Sequence, residues 1–406
     1  MPIFYDNTMR KQPGCGVSLV HFTEEEATRA LAFHKTFPQY AETPLVRLNA
    51  LSKDLGIGKL LLKDEAKRFN LNAFKVLGCS YAIAQILAER LKRPLASLTR
   101  DILCSPEVRN AIGDILFVAA TDGNHGRGVA WTAAELGQKA VIFMPEGSAK
   151  IRAENIRATG AKCHITEYNY DDTVRHASEY AKKHNGVLVQ DTAWEGYEDI
   201  PRWIMQGYMT LGMEALAQMR AQGIERPTHL FLQAGVGSFA GAILGCLAAT
   251  FGGHAPITTI LEPHNAACIA NSFLAGDGKR RMVSGAMQTI MAGLSCGEPC
   301  TTSWGVLRDY ATAAISCPDY IAANGMRILA APLPGDTAVI SGESGAVSIG
   351  ILEYLMTTPK GADIARKLGL GPDSTVLVIS TEGDTSPDIY RSIVRHGSYP
   401  DPRGCA

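Results

Sequence analysis

The stretch THLFLQAGVGSFAGAILGCLAAT, residues 228–250, contains an apolar strand, a glycine-rich loop and a helix in that order. The predicted strand Thr228–Ala234 has the apolar centre Leu230–Leu232 and no charged residue, as a strand covered on both faces requires. The loop Gly235–Gly237 leads directly into the apolar helix Ser238–Thr250. Together they predict one unit of a parallel sheet in an α/β protein.

The same order of strand and helix repeats on both sides of this stretch. Before it, the predicted strands are Ile115–Thr121, Lys139–Pro145, Lys162–Tyr168 and Val187–Asp191, with helices Gly126–Leu136, Lys150–Thr159 and Asp172–His184. After it come strands Ile257–Pro263, Ala313–Pro318 and Thr375–Thr381, with helices Thr302–Tyr310, Pro318–Leu329, Gly345–Thr357 and Ser386–Arg395. We therefore expect an α/β fold of two lobes, each with a mostly parallel sheet flanked by helices.

Two further segments organise the chain. The long helical pattern Arg202–Gln222 separates the two series of strands and is a candidate lobe boundary. Residues 93–114 interrupt the alternation with mixed polarity, and we expect an inserted surface helix or two there.

The composition excludes several classes of protein. Hydrophobic residues make up 46% and charged residues 19% of the 406 residues, which fits an ordinary globular protein. The net charge of −1 comes without the basic face that a nucleic-acid binder usually shows. No apolar run approaches the roughly 20 residues that span a bilayer, and the N-terminus lacks a secretory signal. We expect a cytoplasmic protein that contacts neither nucleic acid nor membrane.

The ten cysteines are scattered along the chain. They include no C-x-x-C pair, and no histidine is placed to complete a zinc site, so no metal site is predicted. Scattered cysteines in a cytosolic chain are usually small buried hydrophobes. Their spacing leaves open a disulfide between distant cysteines, such as Cys268 and Cys296.

The first candidate for chemistry is the segment NLNAFK, Asn70–Lys75, which opens the amphipathic helix Val76–Leu91. A lysine at a helix start opposes the helix dipole, which prefers anions there. A lysine that forms a Schiff base must spend time as the neutral amine, in an electropositive or desolvated setting. The segment alone leaves both a functional Lys75 and a solvated surface lysine open.

The second candidate is TDGNHG, Thr121–Gly126, which follows a predicted strand and precedes a helix. Open parallel sheets bind their ligands at this kind of junction. Gly123 and Gly126 would let the backbone approach a ligand, and the helix N-terminus offers N–H groups to a carboxylate. A capping role is the alternative for Asp122.

The third candidate is the glycine loop itself. Its backbone N–H groups at a helix start, assisted by Ser238, suit a phosphate. However, the spacing of Gly235, Gly237 and Ala240 also fits a dinucleotide fingerprint, and Glu262 ends the next strand, where a ribose-binding acid could lie. On this motif alone a nicotinamide-dependent dehydrogenase competes.

The fourth candidate is STEGD, residues 380–384, at the end of the last predicted strand. The hydroxyl of Thr381 could hydrogen-bond a heterocycle nitrogen. A hydroxyl at a strand end can also simply cap or turn the chain.

Together and in this order, the four motifs resemble the fold-type II pyridoxal-phosphate (PLP) family, which includes tryptophan synthase β, serine and threonine dehydratases and cysteine synthase. The resemblance runs from Thr43-Pro44-Leu45 to Gly383, and it demotes the dehydrogenase because four ordered motifs are far more specific than one. It implies that Lys75 is the Schiff-base lysine. The cofactor-binding residues that it implies are Phe74, Lys75, Asn124, Gly235, Val236, Gly237, Ser238, Phe239 and Thr381.

Within this family, stretches such as LNAFKVLGCSYA, ATDGNHGRGVAW, QAGVGSFAGA, AGLSCGEP and STEGDT resemble the diaminopropionate ammonia-lyases. The resemblance implies elimination of ammonia from D- and L-2,3-diaminopropionate, giving pyruvate and two ammonia, by a homodimer. It also implies a larger, phosphate-binding domain of residues 1–69 and 213–406, and a smaller one of residues 70–212.

Two carboxylates depart from the dehydratase pattern, Asp122 and Asp191. They suit a substrate with an extra ammonium group and proton transfer at either face of its α-carbon. We therefore expect Lys75, Asp122 and Asp191 to be catalytic, with Asp191 the base for the L isomer and Asp122 for the D isomer. The expected substrate contacts are Thr121, Asp122, Gly123, His125 and Asp191.

The residues leave two other functions open beside this one. A serine or threonine dehydratase, or a β-replacement enzyme, would share the fold and the lysine. A catalytically silent dimer could use the fold to bind a ligand, although Lys75 disfavours it. The hydroxyl of Thr381 favours elimination, because a neutral partner makes the pyridine ring a weaker electron sink than an acid would.

Overall fold

The computed structural model describes residues 1–405, which form two sheets with helices on their faces. The strands β1 to β11 are Ile3–Asp6, Leu45–Arg47, Lys59–Asp64, Leu116–Ala120, Lys139–Met144, Lys162–Ile165, Val187–Leu188, His229–Gln233, Ile257–Pro263, Ala313–Cys317 and Thr375–Ser380. The helices α1 to α16 are Glu24–His34, Asn49–Asp54, Val76–Leu91, Arg100–Leu103, Pro106–Ile112, Asn124–Glu135, Lys150–Arg157, Tyr170–Lys183, Asp199–Ala221, Ser238–Phe251, Cys268–Ala275, Thr301–Tyr310, Asp319–Ala330, Glu343–Thr357, Pro359–Leu368 and Pro387–Val394. Across residues 1–405, none of the helices combines the length and apolar character needed to cross a bilayer.

The larger sheet contains seven strands in the order β1-β10-β9-β8-β11-β3-β2. The five strands from β10 to β3 run parallel, and β1 and β2 pair antiparallel at the two edges. The smaller sheet, β6-β5-β4-β7, is parallel throughout. The predicted α/β architecture with mostly parallel sheets is confirmed. The predicted domain limits stay a prediction, and helix α9 runs across the second of them.

The sequence prediction did not include the first three strands of the larger sheet. Strand β3 has only a short apolar centre between charged residues, KLLLKD, so its pattern is weak. It is nevertheless buried, because the ammonium of Lys63 lies 2.7 Å from Glu214 Oε2 on helix α9. A buried lysine requires such a partner, and this partner is far away in the sequence.

Other predicted elements differ at their ends. The predicted strand Val187–Asp191 forms a ladder only at Val187–Leu188, so Asp191 lies in the loop that follows. The segment 93–114 folds into the short helices α4 and α5, as an inserted helical segment should.

Helix α3 begins at Val76 as predicted, and its position is set by close contact with helix α9. A Cβ atom added at Gly78 would lie 2.6 Å from the side chains of Ile204 and Tyr208, and one at Gly207 would lie 2.4 Å from the carbonyl oxygen of Leu77. The two helices can approach this closely only because glycine stands at both positions. This contact fixes the start of α3, where Lys75 lies.

Candidate active site

A cavity lies where the carboxyl ends of β4, β7, β8 and β11 come together, which is where parallel sheets usually bind ligands. It has about 710 Å³ of space, including its opening to solvent. Its wall consists of Phe74, Lys75, Asp122, Asn124, Tyr170, Asp191, Tyr208, Gln233, Ala234, Gly235, Val236, Gly237, Ser238, Phe239, Ala292, Gly293, Leu294, Ser295, Cys296, Ser344, Thr381 and Glu382. All three predicted catalytic residues and all nine predicted cofactor contacts belong to this wall.

Lys75 precedes helix α3 and extends into the cavity, where its Nζ donates to Asp191 Oδ2 at 2.8 Å. Burial by itself would lower the pKa of Lys75, but the carboxylates of Asp191 and Asp122 outweigh it, so the pKa is raised. Burial would likewise raise the pKa of Asp191, but the Lys75 ammonium outweighs it and holds the pKa at about 2. Of the two settings expected for Lys75, the structure shows the desolvated one: the side chain is largely buried, and two nearby carboxylates make its surroundings electronegative.

The segment before Lys75 is tied to the segment after β11. The amide of Phe74 donates to the carbonyl oxygen of Thr381 at 3.1 Å, and the amide of Gly383 donates to that of Asn72 at 3.0 Å. A Cβ atom at Gly383 would lie only 2.1 Å from Asn72 Oδ1, so this pairing needs a glycine. Lys75 and Thr381 are thus carried on two paired segments, with their spacing fixed.

Asp122 lies on another part of the wall. Nη1 of Arg152 is 3.3 Å from the carbonyl oxygen of Asp122 and 3.5 Å from its Oδ2. Asp122 and Tyr170 also border a second, wider cavity, so Asp122 stands where the two spaces meet. Asp191, in contrast, is 4% exposed and borders only the inner of these two cavities.

The glycine loop Gly235–Gly237 brings the start of helix α10 to the cavity. Gly237 has φ +93°, a left-handed conformation that favours glycine, and a Cβ there would lie 2.7 Å from Leu307 Cδ1. The first N–H groups of α10 have no partners within the helix and are available to an anion. The hydroxyl of Ser238 donates to the carbonyl oxygen of Asp191 at 2.6 Å, so it also joins this loop to the Asp191 loop.

Two polar pairs also line the wall. Gln233 Nε2 donates to Thr381 Oγ1 at 2.9 Å. Asn124 Nδ2 donates to Glu382 Oε2 at 2.5 Å. These contacts place a hydroxyl and an amide beside the same space that Lys75 enters.

Three predicted substrate contacts, Thr121, Gly123 and His125, are not part of the cavity wall. The hydroxyl of Thr121 accepts from the amides of Gly123 and Gly126, at 2.8 and 2.9 Å. His125 is buried, and its Nε2 lies 2.7 Å from the carbonyl oxygen of Val189. Their observed contacts shape the loop from within, and direct contact with a substrate stays a prediction for these three residues.

Several wall residues were missed by sequence reasoning: Tyr170, Tyr208, Gln233, Ala234, Ala292, Gly293, Leu294, Ser295, Cys296, Ser344 and Glu382. The segment 292–296 follows neither a strand nor a helix pattern, so periodicity gave no signal for it. Glu382 belongs to the STEGD motif, and a carboxylate directly after Thr381 could have indicated that it lines the same site. Gln233 ends a strand at the same edge as the other motifs, which was the signal there.

The dehydrogenase alternative loses its support at Glu262. This side chain is fully buried and accepts from the amides of Ile269 and Ala270, at 2.9 and 2.7 Å. Burial raises the pKa of Glu262 to about 8. The acid therefore caps helix α11 and is not available to a ribose.

Of the ten cysteines, the nine whose side chains the structure describes are free, including Cys268 and Cys296.

The wall has the functional groups that pyridoxal phosphate requires. Lys75 offers a primary amine, the start of α10 offers amides for a phosphate, and Thr381 offers a hydroxyl for the ring nitrogen. In addition, Gln233 Oε1 and Ser344 Oγ are buried on this wall without a hydrogen-bond partner among the described residues. Buried polar atoms are usually paired, so these two atoms indicate a polar ligand.

Comparison with known proteins agrees with this chemistry. The model of the pyridoxal-phosphate dependent enzyme family matches residues 36–382. Diaminopropionate ammonia-lyase from Salmonella typhimurium is 53% identical over 96% of this chain and 97% of its own. The crystal structure of diaminopropionate ammonia-lyase from Escherichia coli in complex with an aminoacrylate-PLP azomethine reaction intermediate superposes with a TM-score of 0.90 at 46% identity, covering 98% of both chains. The crystal structure of that enzyme with D-serine gives 0.91 at the same identity and coverage.

The family match spans most of the chain, and both the sequence and the structural similarity extend over nearly its full length. The chain therefore belongs to the pyridoxal-phosphate-dependent enzymes of fold type II and, within them, to the diaminopropionate ammonia-lyases.

Proposed function

We propose that this enzyme eliminates ammonia from both enantiomers of 2,3-diaminopropionate and yields pyruvate and two ammonia. The observation that carries the proposal is one cavity whose wall contains Lys75, Asp191 and Asp122 together with the glycine loop and Thr381. A diamino substrate brings an extra ammonium group, and two carboxylates on the cavity wall complement it. The full-length similarity to enzymes of this name supports the same conclusion.

The cofactor, when bound, withdraws electrons from the substrate's α-carbon. In the proposal, Lys75 Nζ holds the cofactor and later moves a proton, while the amides of the glycine loop bind the phosphate. Phe74, Asn124, Val236, Ser238 and Phe239 complete the cofactor contacts. Thr381 holds the ring nitrogen.

Asp191 takes the α-proton of the L isomer in this proposal. Its low pKa depends on the Lys75 ammonium, because burial alone would raise the pKa. Once Nζ of Lys75 has lost its proton, as it must before the amine can hold the cofactor, no ammonium would offset burial. Asp191 then becomes a stronger base, as proton abstraction requires.

Asp122 takes the α-proton of the D isomer in this proposal. The two enantiomers present that proton on opposite faces if the substrate carboxylate stays anchored, so one fixed base cannot serve both. Asp122 lies where the inner cavity meets the wider one, whereas Asp191 is further inside. Their separate loops support a division of labour.

A serine or threonine dehydratase is the second candidate function. An L-threonine dehydratase from Staphylococcus aureus is 28% identical over 52% of this chain, and the Escherichia coli enzyme has been crystallised with D-serine. The two functions differ in the leaving group, which is an amine in one and a hydroxyl in the other.

The purified, cofactor-loaded enzyme distinguishes these functions by release of the 2-oxo acid, which is pyruvate from D- and L-2,3-diaminopropionate and from serine, and 2-oxobutanoate from threonine. We expect much faster release from both diaminopropionate isomers than from the hydroxy amino acids. Faster release from serine or threonine would establish the dehydratase instead, and no 2-oxo acid from any of them would overturn both functions.

We also propose that the enzyme is a cytoplasmic homodimer whose larger domain comprises residues 1–69 and 213–406. The free cysteines suit a reducing compartment, and the family resemblance suggests the dimer. Light scattering on the eluted protein measures the mass of the assembly, and a monomeric mass would contradict the dimer.

A further inference from the structure

We infer that Gln233 is a positioning residue that fixes the direction of the Thr381 hydroxyl and makes it a hydrogen-bond donor to the pyridine nitrogen of the cofactor. The inference rests on the proposed role of Thr381 and extends it to a second residue. It concerns how the cofactor is held before any substrate arrives.

The orientation of the Gln233 amide is determined by a neighbouring carbonyl group. Gln233 ends strand β8, is 1% exposed, and its Nε2 lies 2.9 Å from the carbonyl oxygen of Ile379. A carbonyl oxygen only accepts hydrogen bonds, so the amide nitrogen must face it. The reversed amide would place two acceptor oxygens at this distance.

The second N–H of the same amide is directed at Thr381. Gln233 Nε2 lies 2.9 Å from Thr381 Oγ1, so the hydroxyl oxygen accepts there. A hydroxyl has one hydrogen to donate, and this hydrogen must point away from the amide. Among residues 1–405 no other side chain or backbone group makes a hydrogen bond to Thr381 Oγ1, and Thr381 belongs to the cavity wall. The hydrogen is therefore directed into the cavity.

The side-chain oxygen of Gln233 indicates that this residue is kept for its contact with Thr381. Gln233 Oε1 is buried on the cavity wall and has no hydrogen-bond partner in the part of the chain that the structure describes. A buried amide with an unpaired oxygen is unfavourable unless the rest of the group is required. A nonpolar residue of similar size would avoid this unpaired atom but would leave the Thr381 hydroxyl free to rotate.

The hydrogen of the Thr381 hydroxyl has no acceptor among the described residues, so it favours an unprotonated ring nitrogen, which accepts it, over a protonated one, which would leave it unpaired. An unprotonated ring is the weaker electron sink, which favours elimination over transamination. Gln233→Glu reverses this arrangement. The glutamate carboxyl must be protonated to donate to the carbonyl oxygen of Ile379, so it accepts from the Thr381 hydroxyl, whose lone pairs then face the ring nitrogen and favour its protonation.

The test is ¹⁵N NMR of enzyme reconstituted with cofactor labelled at the ring nitrogen, without substrate. We expect the shift of an unprotonated nitrogen in the wild type and in Gln138→Glu, a buried glutamine away from the cavity wall whose Oε1 accepts from the amide of Ile115, a contact that glutamate keeps. We expect a shift towards the protonated form in Gln233→Glu. An unchanged shift in cofactor-loaded Gln233→Glu would overturn the inference.

If Gln233→Glu does not bind cofactor, the coupling between Gln233→Met and Thr381→Val is measured through the cofactor dissociation constant. A residue that acts through Thr381 gives non-additive effects, so Gln233→Met should weaken binding about tenfold in the wild type and hardly at all in Thr381→Val. Equal weakening in both backgrounds would overturn the inference. These readouts need no elimination, so they stand apart from the test of the proposed function.

Discussion

Two lysines, the buried Lys63 and the partly buried Lys75, each contact a buried carboxylate, yet they differ in what surrounds them. Lys63 Nζ lies 2.7 Å from Glu214 and also donates to the carbonyl oxygen of Thr43 and to Gln218. Its three N–H directions are filled by protein. Lys75 Nζ lies 2.8 Å from Asp191, its one protein hydrogen-bond partner within residues 1–405, and otherwise faces the cavity.

The two carboxylates show the same contrast. Glu214 is held by Lys63, by both terminal nitrogens of Arg68 and by the hydroxyl of Tyr40. Burial lowers the pKa of Lys63 although the carboxylates of Glu214 and Glu65 oppose this, whereas the pKa of Lys75 is raised. A fully satisfied network fixes the fold, and a pair with unused hydrogen-bonding capacity is available for chemistry.

The largest expected effect concerns the two lysines themselves. Lys75→Ala should lower pyruvate formation by about 10⁴-fold or more, because it removes both the group that holds the cofactor and a proton carrier. Visible absorbance of the bound cofactor should disappear with it. Lys63→Met is the matched change and should lower stability while leaving pyruvate release per folded, loaded molecule nearly unchanged. Equal losses of activity in Lys75→Ala and Lys63→Met would contradict the assignment of Lys75 to chemistry and of Lys63 to the fold.

The second prediction divides the two cavity acids. Asp191→Asn should depress activity on L-2,3-diaminopropionate by about 10²–10⁴-fold, and Asp122→Asn should do so on the D isomer, because general-base removal has effects of this size. Pyruvate is measured for each variant on each pure enantiomer. If both variants lose activity equally on both isomers, the acids position the distal ammonium and Lys75 is the base.

The third prediction tests the network around Glu214. Glu214→Gln leaves Lys63 and Arg68 buried with one carboxylate fewer and should reduce the free energy of unfolding by about 3–5 kcal/mol. Glu135→Gln, whose partner Arg100 is partly exposed, should cost only about 0–1 kcal/mol. Denaturant unfolding of the three proteins measures both values. A loss for Glu214→Gln as small as for Glu135→Gln would contradict a structural role.

The smallest effect is the pH dependence of stability. The pKa of Asp191 falls from 3.8 to about 2 on folding and that of Glu214 from 4.5 to about 2. A carboxylate with a lowered folded-state pKa stabilises fully above its unfolded pKa and loses this as the pH falls towards 2. At about 1.4 kcal/mol per pKa unit, Asp191 should contribute about 2 kcal/mol and Glu214 about 3 kcal/mol.

Cofactor binding should separate the two acids in this experiment. With Lys75 engaged by the cofactor, the difference in acid stability between wild type and Asp191→Asn should shrink. The difference between wild type and Glu214→Gln should stay. Acid unfolding of the loaded and cofactor-free proteins measures both, and an unchanged Asp191 contribution would show that its charge does not depend on Lys75.

Much of the fold and the site followed from local patterns. An apolar run before the glycine loop predicted strand β8, and the apolar segment after the loop predicted helix α10. The predicted parallel sheets were confirmed. Strand β3 was not predicted, because the charged residues at its ends left only three consecutive apolar residues. Helix α15 was also not predicted, although Thr358, Pro359 and Gly369 are ordinary signals of a helix start and end.

By itself the sequence determined which segments end at the ligand edge of a parallel sheet, because strand, glycine loop and helix are local features. Asp122, Asp191, the glycine loop and Thr381 end or follow predicted strands and Lys75 opens a predicted helix, while their roles came from the family resemblance. Only the tertiary structure decided their electrostatics and partners. Asp191 is 116 residues from Lys75 in the chain, and Gln233 is 148 residues from Thr381. A pKa or the direction of a hydroxyl hydrogen depends on atoms within a few ångströms, and folding alone brings such distant residues together.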